Sequence, residues 1–315
     1  MTLNERARAV ADELERNATR LRVSASKVAG ARVIDCGGAV QGGLAAGLLL
    51  ARACLADLGE VAYVPSPIAA VGGPAVQVTT DDPVRACLAS QYAGWQVSAG
   101  KFFAMGSGPM RALAAREELF QHIPGKEEST VAVGVLETHK HPTEEVIAAI
   151  VAKLPPVAER LTLLVAPTTS IAGTTQIVAR SVETALHKLH ELKFDVTQIV
   201  SGYGVAPLPP VATDFVQAIG RTNDAILYGG TVTLWVRADD EVLEHIGPKV
   251  PSASSKDHGA PFAEVFTRYN GDFYKIDPLL FSPAEVEFRN LKTGKCHRFG
   301  RVEPDLLRKS FGLAE

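Results

Sequence analysis

Arg180 and Glu183 have residue types and a spacing that could do chemistry. They lie three residues apart in a segment whose apolar positions predict a helix from about Gly173 onward, so they share one helix face. A carboxylate beside a guanidinium group stays ionised at neutral pH, is held in orientation and can accept a proton from water. The pair therefore fits a general base with an arginine that tunes it. Spacing alone fits an exposed helix ion pair of little energetic consequence at least as well.

A recurring order of elements would position this pair: a short apolar run, a loop of small residues, and then a helix. An opening helix is predicted before it, at residues 3–21. The predicted elements that follow are strand 31–35 with a helix ending near Gly59, strand 101–105 with helix 110–120, strand 161–166 with the central helix, and strand 197–200 with loop 201–210 and helix 211–221. The apolar runs 225–228 and 231–236 predict strand, with Gly229 and Gly230 as a bulge or a close approach.

The alternation of strands and helices predicts an α/β fold. We predict two α/β domains, residues 1–155 and residues 156–315, which divide near the paired prolines of 153–159 and whose segments can interleave. The glycines at 202–204 lack the third glycine of a dinucleotide fingerprint, and those at 106–108 lack the Lys-Ser/Thr that follows a nucleoside-triphosphate loop. We therefore expect neither a standard Rossmann fold nor a P-loop fold.

The composition is that of a mildly acidic globular chain. It has 315 residues, 46% of them hydrophobic, and a formal net charge of −3 without a basic block, which argues against nucleic acid as a partner. The first residues do not have the pattern of a secretory signal, and the nearly uncharged run at 37–50 is too short for a membrane span. The four cysteines form no C-x-x-C pair, which indicates reduced thiols. We expect a soluble cytoplasmic protein that does not bind a membrane.

Three other groups of residues invite a functional interpretation. His187 and His190 have a spacing that could ligate a metal, but beside Lys188 on a helix they are predicted to face solvent. Residues 139–141 place two histidines near acidic residues, although the segment also has the pattern of a helix start. Ser107 lies between two glycines but outside a G-x-S-x-G elbow. We predict no metal site and no covalent hydrolase.

Six segments of the sequence, called phrases below, resemble the sequences of one family. Residues 167–189 (PTTSIAGTTQIVARSVETALHKL) resemble the central motif of the methenyltetrahydromethanopterin cyclohydrolases. The other phrases that agree with this family are residues 90–95 (SQYAGW), 103–109 (FAMGSGP), 201–210 (SGYGVAPLPP), 223–232 (NDAILYGGTV), and 257–262 (DHGAPF) continuing to 274–283 (YKIDPLLFSP). The resemblance runs from about Asp35 to Pro283, and several long phrases in order are far more specific than one short pattern.

The resemblance implies both a fold and a reaction. It implies two α/β domains with a deep pocket between them, in a homo-oligomer that is a trimer. It assigns the role of general base to Glu183, while Arg180 positions water and the formyl oxygen and keeps Glu183 ionised. The substrate carries a positively charged carbon between two nitrogens, so no metal or cofactor is needed to activate it. The reaction is addition of water to give the N5-formyl product, in formaldehyde oxidation or in methane formation.

The residues predicted to bind the substrate lie in the matched phrases, where each could also be scaffold. In residues 90–95 we expect Gln91 and the backbone to bond water or the formyl oxygen, and Tyr92 and Trp95 to pack. The predicted substrate-binding residues are Gln91, Tyr92, Ala93, Gly94, Trp95, Gly106, Ser107, Gly108, Thr169, Ser170, Tyr203, Tyr228, Gly229, Gly230, Lys256 and His258.

Two other classes of function stay open at this point. A non-catalytic protein that binds a pterin or a phosphorylated ligand could use the glycine loops as anion cradles, and it would tolerate loss of the Glu183 carboxylate. A metal-dependent amidohydrolase that acts on a cyclic amidine would lose activity with a chelator. Neither class explains why six phrases match one family in order.

Overall fold

A computed structural model of the protein describes residues 1–156 and 160–313, with the backbone alone at residue 274. The chain forms two compact units: Met1–Gly59 with Val84–Gln176, and Glu60–Pro83 with Ile177–Glu315. The segments of the two units therefore interleave along the sequence. The predicted division at 155/156 falls inside the first unit, because the next strand pairs with strands of that unit. Residues 157–159 of the predicted boundary lie outside the described residues.

The strands belong to two mixed six-stranded sheets, one in each unit. They are β1 (Ser24–Val28), β2 (Ala31–Asp35), β3 (Glu60–Pro65), β4 (Pro74–Thr80), β5 (Trp95–Ala99), β6 (Phe102–Ser107), β7 (Val131–Glu137), β8 (Arg160–Ala166), β9 (Ile199–Pro207), β10 (Thr231–Val236), β11 (Glu285–Asn290) and β12 (Cys296–Gly300). The α/β fold class predicted from the sequence is confirmed.

The helices include α-helices, one π-helix and several short 3₁₀ turns among the described residues. The α-helices are α1 (Leu3–Arg16), α2 (Ala18–Leu21), α3 (Leu44–Cys54), α4 (Met110–Ala114), α5 (Glu144–Val151), α6 (Ile171–Val178), α7 (Ser181–Glu191), α8 (Phe215–Leu227), α9 (Asp240–Ile246), α10 (Phe262–Arg268) and α11 (Pro304–Phe311). The π-helix is Val84–Gln91, and the 3₁₀ turns are Glu118–Gln121, Val196–Gln198, Gly247–Lys249, Ser252–Ser254, Phe273–Lys275 and Pro278–Leu280.

The first unit has its sheet in the order β1-β2-β8-β7-β6-β5, with β2, β8 and β7 mutually parallel. These parallel strands are almost continuously apolar, as expected for strands covered on both faces. Successive residues Leu163 and Leu164 of β8 belong to two different core clusters. Residues of α1 and α3 pack in the cluster with Leu164, and residues of α4 and α5 in the cluster with Leu163. Helices therefore cover both faces of this sheet.

The second unit has its sheet in the order β12-β11-β10-β9-β4-β3, in which β10 and β11 alone are paired parallel among the described strands. Helix α7 packs on β9 and β10. An aromatic cluster fills the region where α10 meets the chain that follows it, with ring centroids 4.6–6.3 Å apart. Its members are Phe262, Phe266, Phe273 and Phe281.

Local patterns predicted β2 and β10 with their observed bounds, but several other predicted elements are wrong, three of them as follows. Helix α3 ends at Cys54, well before Gly59, and Ala56 and Asp57 adopt positive φ. Residues 225–228, predicted as strand, form the last turn of α8 and its C-cap. That helix begins at Phe215 and not at 211, because the Asp214 side chain accepts the Gln217 N–H and caps it. No helix among the described residues is long and apolar enough to cross a membrane.

Candidate active site

Glu183 lies in the first turn of α7, and Arg180 is the residue immediately before that helix. The predicted continuous helix from about Gly173 is wrong here, because α6 ends at Val178 and the chain turns through Ala179 and Arg180 before α7 begins. The spacing of three residues is preserved across this turn. Arg180 Nη1 lies 3.8 Å from Glu183 Oε2, which is an ion-pair contact and longer than a direct hydrogen bond.

The pair is buried, so it is not the exposed helix ion pair that spacing alone allows. Arg180 is 7% exposed and Glu183 is 4% exposed. A carboxylate in the first turn of a helix is stabilised by the positive end of the helix dipole, and a neighbouring guanidinium adds to this. A buried acid with these two sources of positive potential is a suitable general base, because low dielectric and fixed dipoles strengthen its interaction with a bound water.

Two glycines of β9 bring α7 close to the second sheet. A Cβ on Gly204 would lie 2.4 Å from Ser181 Oγ, and a Cβ on Gly202 would lie 2.7 Å from Val182 Cγ1. These residues belong to the phrase 201–210, which was predicted to be a loop but forms most of strand β9. Both glycines are therefore positions of close approach beneath the first turn of α7, where Glu183 lies.

We expect Gly204→Ala to lower kcat about tenfold, with a smaller change in KM, because the added methyl displaces the first turn of α7 and misaligns Glu183. Overpacking of this kind costs on the order of 1–3 kcal/mol of stability, so the activity is measured well below the unfolding temperature. Adding Ser181→Ala removes the nearest contact and should restore part of kcat. Ser181→Ala should itself perturb the structure little, because Ser181 Oγ has no hydrogen-bond partner among the described residues. An unchanged kcat in Gly204→Ala would show that the close approach does not position Glu183.

Lys188 ties the same helix to the segment that carries Lys256 and His258. It is 1% exposed, and its Nζ donates to Ser254 Oγ at 3.0 Å and to the Leu279 carbonyl. Burial lowers the pKa of Lys188 to about 8, although a nearby aspartate charge opposes the shift. His187 and His190, which were predicted to face solvent, are half-buried.

The buried Asp257, the half-buried Asp277 and a tyrosine fix the same segment. Asp277 Oδ2 accepts the Ser255 hydroxyl at 2.7 Å and the Lys256 N–H at 3.3 Å. Asp257 Oδ2 accepts the Asp277 N–H at 2.9 Å, and both of its oxygens accept from Tyr269 Oη. The backbone of residues 255–257 is thereby held from several directions, while the Lys256 side chain stays exposed.

Tyr228 is fully buried, and its ring packs against that of His258. Its hydroxyl donates to the Ala260 carbonyl at 2.6 Å and accepts the Gly259 N–H at 3.2 Å, and its ring meets the His258 ring edge-to-face at 5.0 Å. Burial raises the pKa of Tyr228 to about 12 and lowers that of His258. The phenol is therefore neutral, and the imidazole favours its neutral form. These contacts give Tyr228 a scaffold role toward residues 258–260.

The remaining candidates of the second unit take scaffold positions too. Tyr203 alternates with Gly202 and Gly204 along β9, so its side chain lies on the face opposite α7, where its hydroxyl donates to Gln77 Oε1 at 3.3 Å. Gly229 and Gly230 are places of close approach, as predicted, since a Cβ on either would lie under 3.0 Å from Pro207 or from the Ile226 carbonyl.

In the first unit, the phrases 90–95 and 103–109 lie side by side. Trp95 is paired with Gly106 between β5 and β6, and the Gly108 N–H donates to the Ser90 carbonyl at 2.8 Å. Ser107 Oγ is 3.2 Å from the Cys54 thiol, which also contacts the Gln91 carbonyl at 3.9 Å. Ser90 and Gln91 end the π-helix, a rare element that is frequent at functional sites. Tyr92 and Ala93 are half-buried, and Gly94 is exposed.

Thr169 and Ser170 lie at another place in the first unit, where β8 leads into α6. Ser170 Oγ donates to the Pro167 carbonyl at 2.8 Å and accepts the Gly173 N–H at 3.0 Å, so it caps α6. A Cβ on Gly37 would lie 2.6 Å from Ser170 Oγ, which explains why glycine follows β2. Thr169 is half-buried.

The predicted site residues are thus divided between the two units. The first unit holds the candidates at 91–95, 106–108 and 169–170, and the second holds Arg180, Glu183 and those at 203–258. Sequence reasoning missed the buried charged residues Arg111, Lys188 and Asp224. Asp224 accepts the Phe262 N–H at 2.9 Å, and burial raises its pKa to about 7. A single charge inside an otherwise apolar helical stretch was the signal that could have found Arg111.

Two of the histidines considered for metal binding have other neighbours. His141 Nε2 lies 3.2 Å from Ser26 Oγ, and His187 Nε2 lies 3.8 Å from Glu191 Oε1. Within residues 1–156 and 160–313, His, Cys, Asp and Glu side chains form no group of three that could hold a metal ion.

The fold and the buried Arg180–Glu183 pair define an enzyme-like α/β protein with a carboxylate suited to general-base chemistry. The sequence model of one family, described as Cyclohydrolase (MCH), matches residues 2–311. The chain belongs to this cyclohydrolase family.

Named relatives agree over almost the whole chain. A methenyltetrahydromethanopterin cyclohydrolase of Rhodopirellula baltica is 53% identical over 291 residues, which cover 91% of this chain and 87% of the relative. Proteins of the same name from Methylobacterium organophilum and Methanococcoides burtonii are 46% and 42% identical, over 98% and 99% of this chain and 97% and 99% of their own lengths.

Proposed function

We propose that the protein is a cyclohydrolase that interconverts N5,N10-methenyltetrahydromethanopterin and N5-formyltetrahydromethanopterin. The observation that carries the proposal is the family match over residues 2–311, together with relatives of that name at 42–53% identity. The buried pair of Arg180 and Glu183 supplies the chemistry that such a reaction requires. The bridging carbon of the substrate is already electrophilic, so the enzyme must chiefly hold and deprotonate a water molecule.

We propose Glu183 as the general base. The water oxygen forms a bond to the bridging carbon while the Glu183 carboxylate accepts one water proton, which then passes to solvent. The bond from this carbon to N10 breaks, the second water proton ends on N10, and the carbon remains on N5 as the formyl group. Each turnover in this direction consumes one water and releases one proton. The reverse reaction uses the same carboxylate as a general acid.

Arg180 acts on this step through its charge. Its guanidinium, 3.8 Å from the Glu183 carboxylate, favours the ionised form that the base requires. A fixed guanidinium also favours the negative charge that develops on oxygen as water adds, because it is oriented before the reaction begins. The proposed mechanism needs no metal or cofactor. The trimer implied by the resemblance and the cytoplasmic location expected from the sequence stay predictions.

We propose two parts of the chain as contacts for the substrate. The peptide groups and Gln91 side chain of residues 90–95 have the hydrogen-bonding capacity for a water or formyl oxygen. Lys256 and His258 are held on a rigid segment with one exposed cation and one imidazole that favours its neutral form. The contacts of Tyr203, Tyr228, Gly229 and Gly230 support a scaffold role, and their predicted contact with substrate stays a prediction.

The test is the loss of the methenyl chromophore over time with metal-free purified protein. Methenyltetrahydromethanopterin and methenyltetrahydrofolate are compared, each with and without a chelator. We expect rapid, chelator-resistant loss with the methanopterin form. Saturable binding without acceleration would indicate a binding protein, and activity that a chelator abolishes would indicate a metal-dependent amidohydrolase. Either outcome would overturn the proposal.

A further inference from the structure

Arg111, in α4, is a fully buried charged residue that the proposed mechanism does not use. It is the largest of the fully buried side chains among the described residues, at 0% exposure. Its Nε donates to Glu117 Oε1 at 2.9 Å, and its Nη2 contacts Glu117 Oε2, so the two side chains form a fork-to-fork pair. Removing such a charge from water is costly unless every donor is satisfied, so the remaining donors of Arg111 must have partners.

Those partners are the last carbonyls of the π-helix Val84–Gln91. Arg111 Nη1 lies 3.1 Å from the Leu88 carbonyl oxygen, 3.4 Å from that of Ala89 and 3.3 Å from that of Ser90. The end of a helix leaves such carbonyls without helical donors, and it carries negative potential. A buried guanidinium at this point therefore stabilises the end of the π-helix both by hydrogen bonds and by charge.

The chain that follows wraps around the same pair. The Arg111 guanidinium lies 5.0 Å from the Tyr92 ring centroid and 5.6 Å from that of Phe120, so aromatic rings cover it. A Cβ on Gly94 would lie 2.3 Å from Glu117 Oε2, so a side chain there would collide with the carboxylate. The matched phrase 90–95 thus has its path fixed by Arg111 and Glu117, which lie outside every phrase that carries the family resemblance.

The structure assigns Arg111 and Glu117 as a positioning pair that sets the path of residues 90–95 and thereby the affinity for substrate. The assignment rests on the proposed function in one respect, namely that residues 90–95 contact the substrate. The pair does not touch the reacting atoms in this scheme. It acts by holding Ser90 and Gln91 at the end of the π-helix, so its loss should weaken substrate binding and leave the chemistry of Glu183 unaltered.

The test is a double-mutant cycle of Arg111→Lys and Glu117→Gln, with Arg116→Lys as the matched control. Lysine keeps the charge but lacks the planar guanidinium, so it cannot donate to Glu117 and to the π-helix carbonyls at the same time. We expect each single variant to raise KM about tenfold, the size of one lost hydrogen bond at the upper end of its range. The double variant should be little worse than either single variant, because the two residues act as one unit. Arg116 is exposed in the segment between Arg111 and Glu117, and its variant should behave as wild type.

Two further readouts separate positioning from general stability. We expect kcat within about threefold of wild type and an unshifted pH profile of kcat, since Glu183 is untouched. Hydrogen exchange of peptides covering 84–95 should accelerate in Arg111→Lys more than elsewhere in the chain. An unchanged KM with unchanged exchange at 84–95 would overturn the assignment, as would a uniform loss of stability without a change in KM.

Failure of the proposed function has a different signature. Absence of cyclohydrolase activity in the wild-type protein would overturn the proposed reaction. Faster hydrogen exchange confined to residues 84–95 in Arg111→Lys would still show that the pair fixes the conformation of this segment. Normal exchange there would overturn the pair whatever the wild-type activity.

Discussion

Glu183→Gln is expected to lower kcat for loss of the methenyl chromophore by about 10²-fold or more, the range that a general base supplies. Glutamine keeps the shape of the side chain and can still accept a hydrogen bond, but it cannot take a proton from water. The position is 4% exposed in the first turn of α7, so bulk solvent has little access to replace the base. KM should change much less than kcat, because the lost interaction belongs to the transition state.

The matched control is Glu191→Gln at the other end of the same helix. Its side chain is 42% exposed, and the chemical change is identical, so we expect wild-type turnover. Glu183→Gln turning over within a few-fold of wild type would remove Glu183 from the role of base. Normal far-UV circular dichroism and an unchanged unfolding temperature are needed in both variants, so that a loss of activity reports chemistry and not unfolding.

Local sequence patterns predicted elements that local forces determine. Strands β2 and β10 were found with their observed bounds, and the opening helix was predicted as one element where the structure has α1 and α2. Only the start of strand β9 was predicted, as strand 197–200, because glycine is depleted in strands, whereas Gly202 and Gly204 serve the approach of α7. Residues 225–228 were misassigned because a short apolar run does not distinguish a strand from a buried helix turn.

The break between α6 and α7 has no marker in the sequence. Neither Ala179 nor Arg180 is glycine or proline, so the apolar pattern continues across the turn. The sequence also has no marker to show that residues 60–83 belong to the second unit, because strand pairing between distant segments is a tertiary property. Which distant strands pair depends on which surfaces meet in the folded protein, and this cannot be predicted from the local composition of the chain.

Residue type and spacing were enough to place Arg180 near Glu183, whereas burial could not be predicted from them. Glu183 and Arg180 were found from their spacing and from the matched phrase. Arg111 and Lys188 were missed because charged residues are mostly exposed, and only the packed structure shows the carbonyl, carboxylate and hydroxyl oxygens that accept their hydrogen bonds. Sequence therefore indicates a candidate reactive group more readily than the buried charged groups that hold the surrounding chain in place.

Arg180→Gln is expected to lower kcat about 10²-fold, the cost of removing one fixed group that stabilises charge in a transition state. The variant should also lose activity at a higher pH than wild type as the solution is acidified. The guanidinium, 3.8 Å from the Glu183 carboxylate, favours the ionised form, and burial favours the neutral form. Without the guanidinium the carboxylate takes up its proton more readily, and a protonated carboxyl group cannot act as the base.

Arg180→Lys separates the charge from the geometry of the guanidinium. Lysine restores a positive charge but not the planar fork, so the acidic side of the pH profile of kcat should return toward that of wild type while kcat itself stays low. The exposed Arg268→Gln, in the last turn of α10, should match wild type in both respects. If Arg180→Gln kept the wild-type pH profile, the charge of Arg180 would not control the base. Its proximity to Glu183 would then serve only to orient the water or the formyl oxygen.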